Sequence, residues 1–111
     1  MPWFVTIGYG DEAGYHATDE SVRLTAHGHD AELADRGAVI GAAGAPVQVR
    51  NHGGAQLRTA DGAYLSSDLP LAGFGLIEAA SMEEAIKLVA GTPCAVAHGV
   101  VEVWPLLQGP S

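Results

Sequence analysis

The first ten residues alternate between two sets of side chains, one of them rich in aromatic and β-branched residues. Trp3, Val5, Ile7 and Tyr9 are separated by Phe4, Thr6 and Gly8. This period of two predicts a first strand. Gly10-Asp11 ends the pattern, and we expect the polar residues 10–20 to form a loop.

The next pattern has the period of a helix. Thr18 or Asp19 can cap its N-terminus, and Gly37 can end it in a left-handed conformation. One face of the predicted helix carries four residues at i, i+4, i+7 and i+11: Val22, Ala26, His29 and Leu33. Such spacing is typical of a helix that packs one side against a sheet.

Short apolar runs separated by glycine and proline predict the remaining elements. Strands are expected at residues 38–42, 47–50, 56–60, 73–79 and 100–104, with a turn at 51–54 and Pro105 ending the last strand. Ser81 and Glu84 have the spacing of a capping box at the start of a second helix. Pro93 lies just beyond the expected end of that helix.

The predicted order of elements, β-α-β-β-(β)-β-α-β, favours an α+β fold. We predict a single domain over residues 1–111, a ferredoxin-like split β-α-β sandwich whose antiparallel sheet carries two helices on one face. The other face of the sheet would then need a covering partner. Two such sheets facing each other would form a homodimer, a dimeric α+β barrel with an enclosed cavity.

Charge and composition exclude several classes of partner. The 111 residues carry a formal charge of −8, from 13 acidic and 5 basic side chains, which argues against nucleic acid and against an anionic membrane surface. The single cysteine, Cys94, allows no internal disulfide, and we interpret it as structural. The N-terminus has no basic region typical of a signal peptide, and no apolar run has the length of a membrane span. We therefore expect a soluble, cytoplasmic protein.

Several segments, in order, resemble one known family. They are IGYGDEA at residues 7–13, RTADGAY at 58–64, LAGFGLIE at 71–78, the helix start at 81–86 and GVVEVWPL at 99–106. Together they resemble the YCII-related proteins of the DGPF branch over nearly the whole chain. Ala63 and Tyr64 stand where that family has the Pro and Phe of its signature, and Trp104 stands where it has Arg.

The resemblance implies a ferredoxin-like fold that dimerises as an α+β barrel. It implies little about activity, although a His–Asp pair has been proposed as the active site of some members. Counting back from Gly37, the position of that His falls on Ala26, with His27 and His29 close by.

His29, His27 and Asp61 are the candidate catalytic residues. A histidine can transfer protons near neutral pH, and a carboxylate such as Asp30, on the same helix, would orient it. The alternative for His29 is a core residue bonded to a backbone carbonyl, and for His27 a solvated position on the helix. Asp61 is either a carboxylate at a cavity mouth or part of an Asp-Gly turn with Gly62.

Tyr9, Asp11, Tyr64 and His98 are the candidate ligand-binding residues. Each has a structural alternative: a packed aromatic residue, a turn aspartate, an exposed side chain near the turn, and a loop histidine. We predict no metal site, because His27 and His29 would point about 200° apart on a helix, and no cofactor, because the glycine spacing fits no nucleotide motif. Three possibilities stay open: acid/base chemistry of a lyase or isomerase type on a small molecule, a non-catalytic ligand-binding or regulatory module, or a purely structural dimer whose cavity is packed.

Overall fold

The computed structural model describes residues 1–107 as an α+β fold. Its elements follow in chain order: β1 (Trp3–Tyr9), α1 (Glu12–His16), α2 (Glu20–Asp35), β2 (Val39–Ala42), β3 (Val47–Arg50), a 3-10 turn (His52–Gly54), β4 (Arg58–Asp61), β5 (Leu71–Glu78), α3 (Met82–Val89), α4 (Pro93–Val96) and β6 (Val100–Leu106). The predicted strands and the two long helices are confirmed, with shifts of one or two residues at most of their ends.

Four of the strands form one antiparallel sheet in the order β2-β5-β1-β6. Phe4 of β1 lies between Ile77 of β5 and Pro105 of β6. Because neighbouring residues of a strand point to opposite faces, this register places Phe4, Thr6 and Gly8 on the face that the helices cover. The alternation that predicted β1 therefore separates the helix-covered face from the other face.

The core lies between the sheet and α3. Phe4 and Ile77 of the sheet, together with Ala79 just after β5, pack against Ala85 and Val89 of the helix. All five residues are buried. The predicted capping box starts this helix: the Glu84 amide donates to Ser81 Oγ at 3.2 Å, and the Ala80 amide donates to Glu84 Oε2 at 3.0 Å. The Glu84 carboxylate thus bonds the amide before the cap residue.

Helix α2 ends as the sequence predicts. Gly37 has φ 100°, its amide donates to Ala34, and the Ala38 amide donates back to Leu33. This pair of bonds is the Schellman arrangement, in which the left-handed position favours glycine. Of the predicted apolar face, Ala26 and Leu33 are buried, whereas Val22 is exposed.

Two local predictions were wrong, on residues 12–16 and on Pro105, and a short helix after the predicted end of α3 was not anticipated. Residues 12–16 form helix α1 because Asp11 Oδ1 accepts from the Gly14 amide at 2.8 Å and caps it. Pro93 begins helix α4, where its missing N–H costs nothing. Pro105 lies inside β6, which is tolerated because β6 is an edge strand.

Strands β3 and β4 form a separate antiparallel ribbon. We call residues 46–65, which include the ribbon and its turn, the arm. Every residue of the arm is exposed except Gln48 and Arg50, which are half-buried. The arm therefore contributes little to the core between the sheet and the helices.

Within residues 1–107, no helix covers the second face of the four-stranded sheet. We call this surface the open face, and its apolar side chains include Trp3, Val5, Ile7, Val39, Phe74, Leu76, Val100, Trp104 and Leu106. Five of them expose half or more of their surface: Val39, Phe74, Val100, Trp104 and Leu106. An apolar surface of this kind usually marks an interaction site.

Candidate functional site

A cavity of about 410 Å³ lies between the helix-covered face of the sheet, helix α2 and helix α4. Its lining is mainly apolar, and the sheet contributes small residues such as Gly8, Ala42 and Gly73. Larger side chains do not fit at the two glycines: a Cβ on Gly8 would lie 2.9 Å from Cys94 Sγ, and one on Gly73 would lie 2.6 Å from the Gly41 oxygen. Because no side chain fits at these two positions, none projects from this part of the sheet. Helices α2 and α4 leave the space above it unfilled, and this space is the cavity.

Asp30 of α2 is the acidic residue in the lining of this cavity. Its Oδ1 atom is buried and has no hydrogen-bond partner within residues 1–107. Burial raises the pKa of the Asp30 carboxyl, while the charges of His27 and His29 act in the opposite direction. A carboxyl oxygen that is buried without a partner is costly, so Asp30, which is half-buried in the cavity wall, is a candidate for a hydrogen bond from a bound molecule.

Cys94 lines the same cavity from helix α4. Burial raises the pKa of its thiol, and the negative charge of Asp30 raises it further. The thiolate is the nucleophilic form of cysteine, so this environment makes Cys94 a neutral wall residue, in keeping with the structural role expected from the sequence.

A second cavity of about 580 Å³ adjoins the first. The two share Ala72, Pro93 and Cys94, and Asp11 lies in the lining of the second. Asp11 was a predicted ligand-binding residue, but one of its oxygens already caps α1. Asp11 lies beside a cavity, and its role in ligand binding stays a prediction.

His29 lies on α2, one residue before Asp30, but it is not in the lining of the sheet cavity. Its Nε2 lies 2.5 Å from the backbone oxygen of Leu88. Because a carbonyl can only accept, Nε2 must carry the proton. A Cβ on Gly91 would lie 3.2 Å from the ring, so the ring packs closely on the chain after α3. This geometry matches the alternative of a histidine bonded to the backbone, and a catalytic role for His29 stays a prediction.

His27 of α2 is exposed, and its side chain is hydrogen-bonded to a residue of α1. Its Nε2 is hydrogen-bonded to the Tyr15 hydroxyl at 2.8 Å, and the Arg23 guanidinium carbon lies 4.9 Å from the centre of the Tyr15 ring. Cation–π contacts of this kind stabilise exposed groups modestly. His27 therefore has a structural contact that sequence reasoning did not anticipate.

Asp61 and Tyr64 lie on the arm. Asp61 ends β4 opposite Val47, and Gly62 after it has φ 97°, which fits the predicted Asp-Gly turn. Tyr64 is 83% exposed, with the Arg50 guanidinium carbon 5.8 Å from its ring centre. Neither residue lines either cavity, and no hydrogen bond in residues 1–107 joins Asp61 to His27 or His29.

Tyr9 and His98 complete the predicted set. The Tyr9 hydroxyl donates to Glu102 Oε1 at 2.8 Å on the open face, and this hydrogen bond is the main cause of the raised pKa of Tyr9. His98 is exposed with φ 63° in the turn after α4. Both positions fit the structural alternatives, a packed aromatic residue and a loop histidine.

The residue that sequence reasoning missed as a site candidate is Asp30, although the signal was present. Asp30 follows Ala26 by four positions and precedes Leu33 by three, so all three lie on one side of α2. A carboxylate on the buried side of a helix is rare unless it is paired or functional. Sequence reasoning treated Asp30 only as a partner for the histidines.

Comparisons with other proteins leave the resemblance to the YCII-related family as a proposal. A scan against models of protein families found no match, and a search of curated proteins found no significant match. Across residues 1–107, no three His, Cys, Asp or Glu side chains are grouped so as to hold a metal ion. None of the helices described there has the length and apolarity needed to cross a bilayer.

Proposed function

We propose that the protein binds a small, largely apolar molecule in the cavity beside Asp30 and transfers a proton to or from it. The observation that carries the proposal is that Asp30, half-buried and with no hydrogen-bond partner for its Oδ1 within residues 1–107, lies in the lining of a cavity of about 410 Å³. That volume lies within the range of roughly 300–1,000 Å³ typical of small-molecule sites. A ligand hydroxyl or amine would supply the missing hydrogen bond.

The proposed chemistry is general acid/base catalysis of a lyase or isomerase type. A raised pKa lets an aspartate hold a proton closer to neutral pH, and an apolar surrounding strengthens its interaction with the reacting group. Asp30 takes the place of Asp61 as the carboxylate, since Asp61 lies on the arm. The positive charges that His27 and His29 acquire on protonation would tune the pKa of Asp30.

The fold also supports the proposed family. The sheet order β2-β5-β1-β6 corresponds to a ferredoxin-like split β-α-β arrangement with the arm inserted between its second and third strands. This agrees with the fold that the resemblance to YCII-related proteins implies. A cytoplasmic location stays a prediction of the sequence.

The open face supports a homodimer, the dimeric α+β barrel of the sequence prediction. The chain exposes 7646 Å², whereas a compact monomer of this mass exposes about 5,800 Å². A stable interface removes about 800 Å² from each partner. The chain therefore exposes more surplus surface than a stable pairing would remove, and the open face and the arm both contribute to it.

A non-catalytic binding module is the second candidate function. The cavity lining is dominated by apolar residues, and the His29 Nε2 proton is committed to Leu88. Among residues 1–107, the cavity lining offers one carboxyl group and no histidine, and the pKa of its other titratable group, the Cys94 thiol, is raised by burial. Under this alternative, Asp30 would contribute to affinity without any turnover.

The test uses two probes of similar shape, p-cresol and toluene, of which only p-cresol can donate a hydrogen bond to Asp30. Binding is followed by amide chemical shifts of residues lining the cavity. We expect the Asp30→Ala substitution to weaken p-cresol binding by about tenfold or more and to leave toluene binding nearly unchanged. Asp35→Ala, at an exposed position of α2, is the matched control.

Turnover is tested by hydrogen–deuterium exchange next to the carbonyl of cyclohexanone, which a general base would accelerate. We expect Asp30→Asn to slow this exchange by about 100-fold. Probe binding without any exchange would favour the binding module, and absence of p-cresol binding to the folded wild type would contradict both functions.

A further inference from the structure

The arm lacks the support that a two-stranded ribbon normally needs. Its strands pair only with each other, and an isolated hairpin is at best marginally stable in water. Five large hydrophobic side chains of the arm expose half or more of their surface: Val47, Val49, Leu57, Tyr64 and Leu65. A partner that packs on the arm would stabilise the ribbon.

The overall dimensions of the chain are larger than those of a compact domain. Its radius of gyration is 16.0 Å and its longest extent is 53 Å, whereas a compact chain of this length has a radius of about 13 Å. The chain is thus elongated, and the exposed arm is the part that is not packed into the core.

Two arginines lie directly opposite each other across the ribbon. Arg50 of β3 pairs with Arg58 of β4, and like charges in this position repel each other. Each guanidinium is held by a glutamine two residues away: Arg50 donates to Gln48 at 2.8 Å and Arg58 donates to Gln56 at 3.2 Å. Neither arginine forms a salt bridge within residues 1–107. The two guanidinium groups are therefore held by glutamines and have no anionic partner within residues 1–107.

The charge of the arm is opposite to that of the remaining chain. Residues 46–65 carry Arg50 and Arg58 against one acid, Asp61, a net charge of +1, so the total of −8 leaves −9 on the other residues. A second copy of the chain therefore offers the arm an acidic surface. Complementary charges of this kind favour association and fix its orientation.

We infer that the arm of one protomer packs on its partner through the ribbon face that carries Arg50 and Arg58, with both arginines bonded to carboxylates of the partner; Val47 and Val49 lie on the opposite face of the ribbon. This inference rests on the homodimer proposed above. Arginine suits the role because its planar group can bond a carboxylate through two N–H groups. The arm would then be an interaction element, and its two arginines would help to select the partner.

Charge reversal tests the inference. The double variant Arg50→Glu/Arg58→Glu is compared with Arg36→Glu/Lys87→Glu, which changes the total charge equally at exposed positions outside the arm. Dimer dissociation constants are measured by sedimentation at 0.1 M salt. We expect dissociation constants at least tenfold higher for the arm variant than for the control variant. Equal constants would overturn the inference and leave the dimer proposal standing, whereas a wild type that is monomeric at all concentrations would overturn both.

A second measurement observes the contact directly and does not depend on charge. A spin label is attached at Val49→Cys in a Cys94→Ser background, and this protein is mixed with isotope-labelled protomers without a spin label. We expect the label to broaden amide signals of the unlabelled protomer. A mixed dimer without such broadening would show that the arm does not touch its partner.

Discussion

At the scale of single residues, Asp30 and Cys94 illustrate how burial changes chemical character. Both line the cavity next to the sheet, and burial is the first cause of the raised pKa of each group. The negative charge of Asp30 also raises the pKa of the Cys94 thiol. The neutral thiol forms part of the wall, while the carboxyl is the reactive group of the proposed site.

The raised pKa of Asp30 leads to a prediction about stability and pH. The folded state holds this proton to a higher pH than the unfolded state, whose aspartates have a pKa of about 3.9. The contribution of Asp30 to stability is therefore complete below that pKa and is lost as the pH rises through the folded-state pKa. Asp30→Asn removes this loss.

We expect Asp30→Asn to match the wild type in stability near pH 4 and to exceed it at pH 7, by up to about 1 kcal/mol because the group is only half-buried. Urea unfolding at both pH values measures the difference. The Asp35→Asn variant of the same helix should show no such divergence. A wild type that is more stable than Asp30→Asn at pH 7 would contradict the assignment.

At the scale of elements, local signals in the sequence predicted most boundaries. Gly37 ends α2, and Ser81 with Glu84 begins α3, because caps depend on neighbours within a few residues. The exceptions have equally local causes. Asp11 capped a short helix in a segment with no apolar periodicity, and Pro105 was compatible with a strand only because that strand lies at a sheet edge.

Removal of the Ser81 cap is predicted to weaken α3 and the core that it covers. Ser81→Ala leaves the Glu84 amide without its acceptor, and we expect the free energy of unfolding to fall by about 1 kcal/mol. Ser21→Ala, in the exposed first turn of α2, should change stability much less. Equal effects of the two substitutions in denaturant unfolding would argue against a capping role.

At the scale of the whole molecule, the arrangement leaves one face of the sheet uncovered. The helices pack on the face that holds Phe4 and Ile77, while apolar residues such as Trp104 remain on the open face. Within residues 1–107, no helix covers these side chains. Pairing with a second copy would bury both open faces together.

We predict that Trp104→Glu weakens the proposed dimer, because Trp104 is 55% exposed on the open face and a buried charge without a partner is costly. The dissociation constant measured by sedimentation should rise by at least tenfold. Leu24→Glu places the same charge at an exposed position of α2, away from that face. A dimer equally tolerant of both substitutions would have to form through another surface.

The sequence by itself determined the order and type of the main elements of the fold, because strand alternation, helix periodicity and caps are local properties. It also provided all the candidate titratable groups. The tertiary structure alone decided which of them meet. His29 bonds Leu88, 59 positions away, and Tyr9 bonds Glu102, 93 positions away.

The cavity was decided in the same way. It exists because small residues on the sheet lie beneath α2 and α4, and Asp30 faces it because of how α2 packs. Asp61, next to the turn that resembles a family signature, instead lies on the arm. The helical spacing with Ala26 and Leu33 indicated that Asp30 lies on the buried side of α2. Contacts between distant segments arise from packing of the whole chain, so no local pattern could show that α2 and α4 leave a cavity beside it.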